Sequence, residues 1–310
     1  MQKYDVIIIG GACAGLSAAL YTARRALKTI VLTRDIGGQA AITTEIENYP
    51  GTGSILGPEL MNKFKDQAEN AGAEIKLTQI TSIRKEGDEY IVTDGTDEYQ
   101  APALILAFGL THRVLSVPGE KELTGRGVAY CATCDGPLFK NKIVAVVGGG
   151  NSALEAVDYL SDLCQKVYMF VRGDKFRADE TEMLEQVQNK ANVEIRFNTS
   201  ITEIVGEKKV EKAKLNDNSE LELNGVFVEI GYTTQTDFLQ NLVALDERGQ
   251  IIVDQQGKTL TPGVFAAGDV TNTPFKQAVI SAGDGAKAAL SASRYVKNLK
   301  GLADKPDWNR

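Results

Sequence analysis

Cys131 and Cys134 stand two residues apart in Tyr130-Cys131-Ala132-Thr133-Cys134-Asp135-Gly136. Two thiols at that spacing can close a disulfide and exchange electrons in pairs, or they can supply half of a tetrahedral zinc site. Zinc needs two further ligands, and the only other thiols and imidazole in the chain are Cys13, Cys164 and His112. Cys13 belongs to a glycine-rich turn. Cys164 falls inside a helical pattern where an inert buried thiol is expected, so the redox pair is the favoured reading. A thiolate is the competent species, which requires a helix N-terminus or hydrogen-bond donors beside one sulfur. His112, in Leu110-Thr111-His112-Arg113, reads as a polar surface or inter-domain residue rather than a catalytic base. The sole tryptophan, Trp308, lies in a polar tail from Lys300 onward and supports no site.

Electron chemistry needs cofactors, and two glycine turns offer places for them. Gly10-Gly11-Ala12-Cys13-Ala14-Gly15 nearly matches GxGxxG, whose glycines allow a tight turn, close backbone approach to a pyrophosphate, and close helix-strand packing. Ala12 stands at the middle position and adds one methyl at the point of closest approach. Gly148-Gly149-Gly150-Asn151-Ser152-Ala153 fits GxGxxA, with glycine at both close positions and Ala153 at the packing position. At the end of the strand after this second turn, an acid would suit the ribose diol of NAD and arginines the 2′-phosphate of NADP. The residues there are Phe170-Val171-Arg172-Gly173-Asp174-Lys175-Phe176-Arg177, with Arg172 and Arg177 as candidate phosphate partners.

The elements around these turns repeat. Tyr4 to Ile9 and Lys142 to Val147 are apolar runs that enter the glycines, and each turn opens a helix of good helix formers. A β-branched run follows each helix, Lys28 to Leu32 and Lys166 to Phe170, completing two βαβ units and implying two dinucleotide sites. Ile80 to Arg84 with Glu89 to Thr93, and Lys209 to Leu215 with Glu220 to Leu223, read as hairpins added to each half. Pro118-Gly119 and Thr236 to Asp246 are the expected crossings between domains.

Composition fits this architecture. A chain of 310 residues with 43% hydrophobic and 24% charged residues can bury about two cores. Its apolar runs are too short to span a bilayer, and Met1 leads directly into the first strand without a basic leader, so a cytoplasmic protein away from membranes is expected. Four cysteines are too few for a disulfide framework, which fits a reducing compartment. The net charge of −7 is spread along the chain with no Lys/Arg stripe, so nucleic acid is not an expected partner.

Gly37-Gly38-Gln39 and the run Thr43 to Gly51, which contains Asn48, resemble the flavin-embracing loop of low-molecular-weight thioredoxin reductases almost residue for residue. The resemblance extends through Leu106-Ala107-Phe108-Gly109, Pro118-Gly119-Glu120, the Cys131 to Cys134 segment, and Thr261 to Val270 with Gly268-Asp269. It runs in the family's order along nearly the whole chain. It implies an α/β fold of two Rossmann-like, three-layer dinucleotide-binding domains. The FAD domain would be discontinuous, residues 1–117 and 245–310, with a nicotinamide domain, 118–244, inserted and carrying the CxxC. Asp269 would accept hydrogen bonds from the ribityl hydroxyls of FAD. Lys276-Gln277-Ala278 would open a last helix whose N-terminus favours negative charge on the flavin.

The resemblance further implies that Cys134 faces the flavin, that Cys131 attacks the disulfide of a thioredoxin-like protein, and that Asp135 is the general acid. It implies a homodimer formed through the FAD domain, and rotation of the inserted domain. The family's NADPH users carry His-Arg-Arg at the start of the phosphate segment and a further arginine. Here Val171 and Gly173 replace two of these, so the donor is NADPH or NADH with weak discrimination. Other flavoproteins with these features would be a dithiol oxidase, a peroxiredoxin-reductase component, or a flavin electron carrier or redox sensor with a different donor.

Overall fold

The computed structural model describes residues 1–43, 45–177 and 181–302; Thr44 and Trp308 fall outside them. The chain forms two compact units. One comprises Met1–Ala41, Tyr49–Thr111 and the chain from Thr234 onward; the other comprises Ile42–Asn48 and His112–Thr233.

The first unit is built on a five-stranded parallel sheet in the order Val264–Ala266, Ala103–Leu106, Val6–Gly11, Thr29–Ile36, Glu74–Leu77. Its central strands read as unbroken apolar runs because both faces are covered. Val6, Ile8, Val31, Ala103 and Ile105 point into a core shared with Ala14, Ala18 and Ala19 of helix Cys13–Arg24 and with Ala288, Ala289 and Ala292 of helix Ala278–Leu299. Ile7, Ile9, Ile30, Leu32, Leu104 and Leu106 point the other way, onto Ile83, Tyr90, Val92 and Tyr99 of a four-stranded sheet. The period-two alternation of a strand thus makes three layers. Ser82–Glu86 and Glu89–Thr93 pair antiparallel, as the expected hairpin does.

The second unit repeats the plan. Its parallel sheet runs in the order Val128–Ala129, Gly225–Val228, Ile143–Val147, Lys166–Phe170, Val193–Arg196. Val144, Val146, Val167 and Met169 pack under helix Asn151–Leu163, whereas Ala145, Val147, Phe170 and Val226 face a three-stranded sheet through Ile201, Ile204 and Ala213. Lys212–Leu215 and Glu220–Glu222 form the second hairpin. Cys164, expected inside the helix, is its C-cap residue; it is buried, and its thiol donates to the Phe139 carbonyl at 3.3 Å.

Apart from the short excursion Ile42–Asn48, the crossings between units fall at 111/112 and 233/234, earlier in the chain than the expected 117/118 and 244/245. Buried Glu120 explains the first. Its carboxylate accepts from the amides of Leu115 at 2.8 Å and Ser116 at 2.7 Å, which folds these residues onto the second unit. Apolar packing explains the return, since Leu239 and Val243 are buried in the core of the first unit and Phe238 meets Phe108 edge-on at 5.1 Å.

Candidate active site

The strand Val128–Ala129 leads through Tyr130 into Cys131, the N-cap of a short helix, Ala132–Asp135. Cys131 and Cys134 form a disulfide with Cα atoms 5.3 Å apart. The Cys134 amide points back at Cys131 Sγ at 3.2 Å, so the helix N-terminus already offers an N–H to the sulfur that a thiolate would need. Asp135 closes the helix, and burial pushes its carboxyl up to about 6, within reach of a proton-donating role near neutral pH.

Two neighbours of the dithiol were not anticipated from the sequence. Tyr130 donates to Glu120 at 3.0 Å and tilts against His112 at 5.1 Å, while His112 also meets Tyr232 at 4.6 Å. His112 is therefore half-buried between two tyrosines, and burial pushes its imidazole down to about 4. The second is Glu229. It follows strand Gly225–Val228, faces the Ala132 amide, and is pushed up to about 8 by burial and by Glu155. The sequence signal was an acid set into the apolar run Val226 to Ile230 at the carboxyl end of a strand.

Glu229 also backs the second glycine turn. Its carbonyl oxygen lies where a Cβ on Gly148 would come within 2.2 Å, so only glycine fits there. Gly150 is the N-cap of helix Asn151–Leu163 with no capping side chain, and a Cβ built on it meets nothing within 4 Å. The turn therefore presents free space in front of the helix N-terminal amides and its first residues, Asn151 and Ser152. This is the donor set that suits a pyrophosphate. The segment after Phe170 folds against the turn: the Arg177 amide donates to Gly149 at 2.7 Å, and Asn198 donates to the Gly173 carbonyl at 2.9 Å. Arg172 and Arg177 are both exposed there, available to a phosphate.

The turn in the first unit has the same form. Gly10 has φ +115°, and a Cβ on it would lie 2.2 Å from the Ala107 carbonyl; a Cβ on Gly15 would lie 1.8 Å from the Gly10 carbonyl. Ala12, in the place of the middle glycine, has φ −109° and ψ −163°, almost the −105° and −176° of Gly150. That extended conformation suits any L-residue, which explains how alanine replaces glycine without backbone strain. The helix it caps has no capping side chain, and neither does helix Ala278–Leu299 behind Gln277.

Between these two helices lies Gly268-Asp269. Gly268 has φ +74° and a Cβ on it would come within 2.8 Å of Ala14 Cβ. Asp269 is raised by burial, opposed by the Ser281 hydroxyl that donates to it at 3.0 Å. The Lys276 ammonium donates to the carbonyls of Asp269 at 3.0 Å and Thr271 at 2.7 Å. Gly37 and Gly38 hold positive φ beside this turn, with the Gly37 amide on the Gly11 carbonyl at 2.8 Å and Gly38 on the Asp35 carboxylate at 2.9 Å. Gly109, φ +67°, opens space beyond strand Ala103–Leu106. Two uncapped helix N-termini and one buried carboxylate fit a dinucleotide that brings both a pyrophosphate and sugar hydroxyls. Gln39 lies in this unit as well, whereas Asn48 groups with the second unit. Cys13, inside the turn, is buried against Met61, and burial pushes its thiol up to about 12, out of thiolate chemistry.

Among the described residues, no group of His, Cys, Asp or Glu side chains could hold a metal ion. A family model for pyridine nucleotide-disulphide oxidoreductases matches residues 4–285. The chain is 44% identical to a thioredoxin reductase of Listeria monocytogenes over 305 residues, covering 96% of this chain and 95% of that protein. It is 40% identical to an alkyl hydroperoxide reductase polypeptide of Pseudomonas putida over 305 residues, 95% of this chain but 58% of that protein. The crystal structure of the thioredoxin reductase from Streptococcus pyogenes superposes with a TM-score of 0.90 at 35% identity, covering 96% of this chain and 99% of that one.

Proposed function

The chain belongs to the pyridine nucleotide-disulphide oxidoreductase family, and on that premise we propose that it is a thioredoxin-disulfide reductase using NADPH or NADH, FAD and the Cys131–Cys134 pair. The observation that carries this reading is a disulfide at the N-terminus of a short helix, in a unit with its own dinucleotide turn, inside a chain that matches thioredoxin reductases end to end. FAD and the nicotinamide, when bound, supply hydride and electron-pair transfer. The protein would hold them: the turn Gly10 to Gly15 and Asp269 would take FAD, and the turn Gly148 to Ala153 with Arg172 and Arg177 would take the nicotinamide nucleotide.

Once the pair is reduced, Cys131, stabilised as thiolate by the Cys134 amide, attacks one sulfur of the partner's disulfide. The partner's disulfide breaks, and its leaving thiolate takes a proton from Asp135. Cys134 then gives its proton to the Asp135 carboxylate and attacks Cys131 Sγ; the bond to the partner breaks, the partner's second sulfur takes a proton from solvent, and the partner leaves as a dithiol with the disulfide restored. Electrons balance: two leave the pair and two reduce the partner. The protein would be cytoplasmic and a homodimer through its FAD-binding unit. Among the described residues no helix is long and apolar enough to cross a membrane.

The test is anaerobic mixing with NADPH or NADH, followed by turnover with thioredoxin, with a peroxiredoxin component, and with oxygen. Bleaching of the yellow flavin by either nucleotide and turnover dominated by thioredoxin are expected. Turnover dominated by a peroxiredoxin component would favour the hydroperoxide-reductase relative, and oxygen as sole acceptor would make the chain a dithiol oxidase.

A further inference from the structure

The sheet of the second unit brings an unassigned carboxyl to the dithiol. Val128 pairs in parallel with Val226 and Ala129 with Phe227, so two residues further on, Cys131 and Glu229 leave the sheet level with one another. The Glu229 amide is tied to Val147 at 2.8 Å and its carbonyl is wedged against Gly148, which fixes its backbone to the central strand and the nucleotide turn. From that fixed point its carboxyl faces the amide of Ala132, the first residue of the dithiol helix. The same helix terminus sends the Cys134 amide to Cys131 Sγ. One N-terminus therefore faces both a carboxyl and a sulfur.

From this arrangement we propose that Glu229 is the positioning residue of the dithiol: its carboxyl anchors the N-terminus of the 132–135 helix and, when ionised, opposes the thiolate formed on reduction. The inference deepens the reading above, because it rests on Cys131 and Cys134 being the redox pair. Reduction breaks the S–S bond and places two electrons on the two sulfurs. One sulfur takes a proton and becomes a thiol; the other keeps its charge as thiolate at the helix N-terminus. A carboxylate at that terminus repels the charge, whereas a protonated carboxyl does not. Burial and the Glu155 carboxylate hold Glu229 up to about 8, so its own proton is lost only on the alkaline side of neutrality. The charged group that faces it is Glu155 on helix Asn151–Leu163.

The experiment equilibrates the FAD-loaded wild type, Glu229→Gln and Glu229→Ala with mixtures of reduced and oxidised dithiothreitol between about pH 6.5 and 9.5, counting Cys131 and Cys134 thiols by quenched alkylation and mass. Glutamine keeps an oxygen for the Ala132 amide but never ionises. Wild type and Glu229→Gln should agree within about twofold at the low end, and diverge above pH 8 until the wild type is up to about tenfold less reduced. Glu229→Ala, without the acceptor, should depart from both even at low pH. A Glu229→Gln curve that tracks wild type, or is offset by one factor at every pH, overturns the electrostatic coupling. A Glu229→Ala curve that matches wild type at low pH overturns the anchoring. If Cys131 and Cys134 never exchange with the reference in any of the three proteins, the redox pair itself is refuted, and the functional reading with it.

Discussion

Replacing Gly173 with arginine tests the phosphate segment most directly. Gly173 is exposed and has no left-handed φ, and a Cβ built on it comes no closer than 3.8 Å, to the Lys175 carbonyl. A side chain is therefore accommodated without moving the backbone, and the loss of unfolded-state freedom should leave stability unchanged or raise it by up to about 1 kcal/mol. The segment is already held in place by the Arg177 and Asn198 amides, so the new arginine is presented beside Arg172 on a fixed backbone.

A charge-assisted hydrogen bond to a phosphate contributes about 1.5–3 kcal/mol, and solvent at this exposed site should reduce that to about 1–2 kcal/mol. The ratio of kcat/KM for NADPH over that for NADH should therefore rise by about fivefold to thirtyfold in Gly173→Arg. The assay is steady-state turnover with each nucleotide, with thermal unfolding alongside to confirm an intact fold. An unchanged ratio in a folded variant would refute this placement of the phosphate. So would a wild type that already prefers NADPH a thousandfold, because Arg172 and Arg177 would then suffice.

Three further outcomes follow from the site. Cys134→Ser should accumulate a stable mixed disulfide between Cys131 and thioredoxin, since no thiol remains to resolve it, whereas Cys131→Ser should not; trapping by Cys131→Ser alone, seen on non-reducing gels, would reverse the roles. Asp269→Ala should lower FAD affinity by about tenfold or more, read as flavin lost on desalting, because a buried hydrogen-bonding carboxyl is removed. Asp135 has a folded-state value of about 6 against 3.8 unfolded, so between those values the folded chain holds a proton that the unfolded chain has released. Stability from this group is thus present at acid pH and lost as pH rises through about 6, and Asp135→Asn should flatten that slope in melting curves by about 3 kcal/mol.

Much of the architecture was legible because its signals are local. An apolar run ending in glycines and opening a helix can be read within a few residues, and it occurs twice, at Val6 to Gly15 and Val144 to Ala153. Alternate residues of one strand are buried in different layers, so the runs look continuous and announce parallel strands covered on both faces. The Cys131–Cys134 pair is likewise a matter of spacing along the chain.

Tertiary structure decided what depends on residues distant in sequence. Whether Ala12 could replace a glycine turned on its backbone angles, which the packing of strand and helix sets. The return to the first unit turned on Phe238, whose ring partner Phe108 lies on the other side of the inserted unit in sequence. The burial of His112 was decided by two tyrosines, one of them Tyr232, on the far side of the inserted unit in sequence. Glu229 is the clearest case. The amino-acid sequence determined by itself that a dithiol and two nucleotide turns were present, because each is a pattern of neighbours. That Glu229 leaves the sheet level with Cys131, two residues beyond the paired Phe227 and Ala129, was decided only by the parallel register of Val128–Ala129 on Gly225–Val228, since a sheet aligns residues by hydrogen bonding between strands and leaves no mark of the pairing in either strand alone.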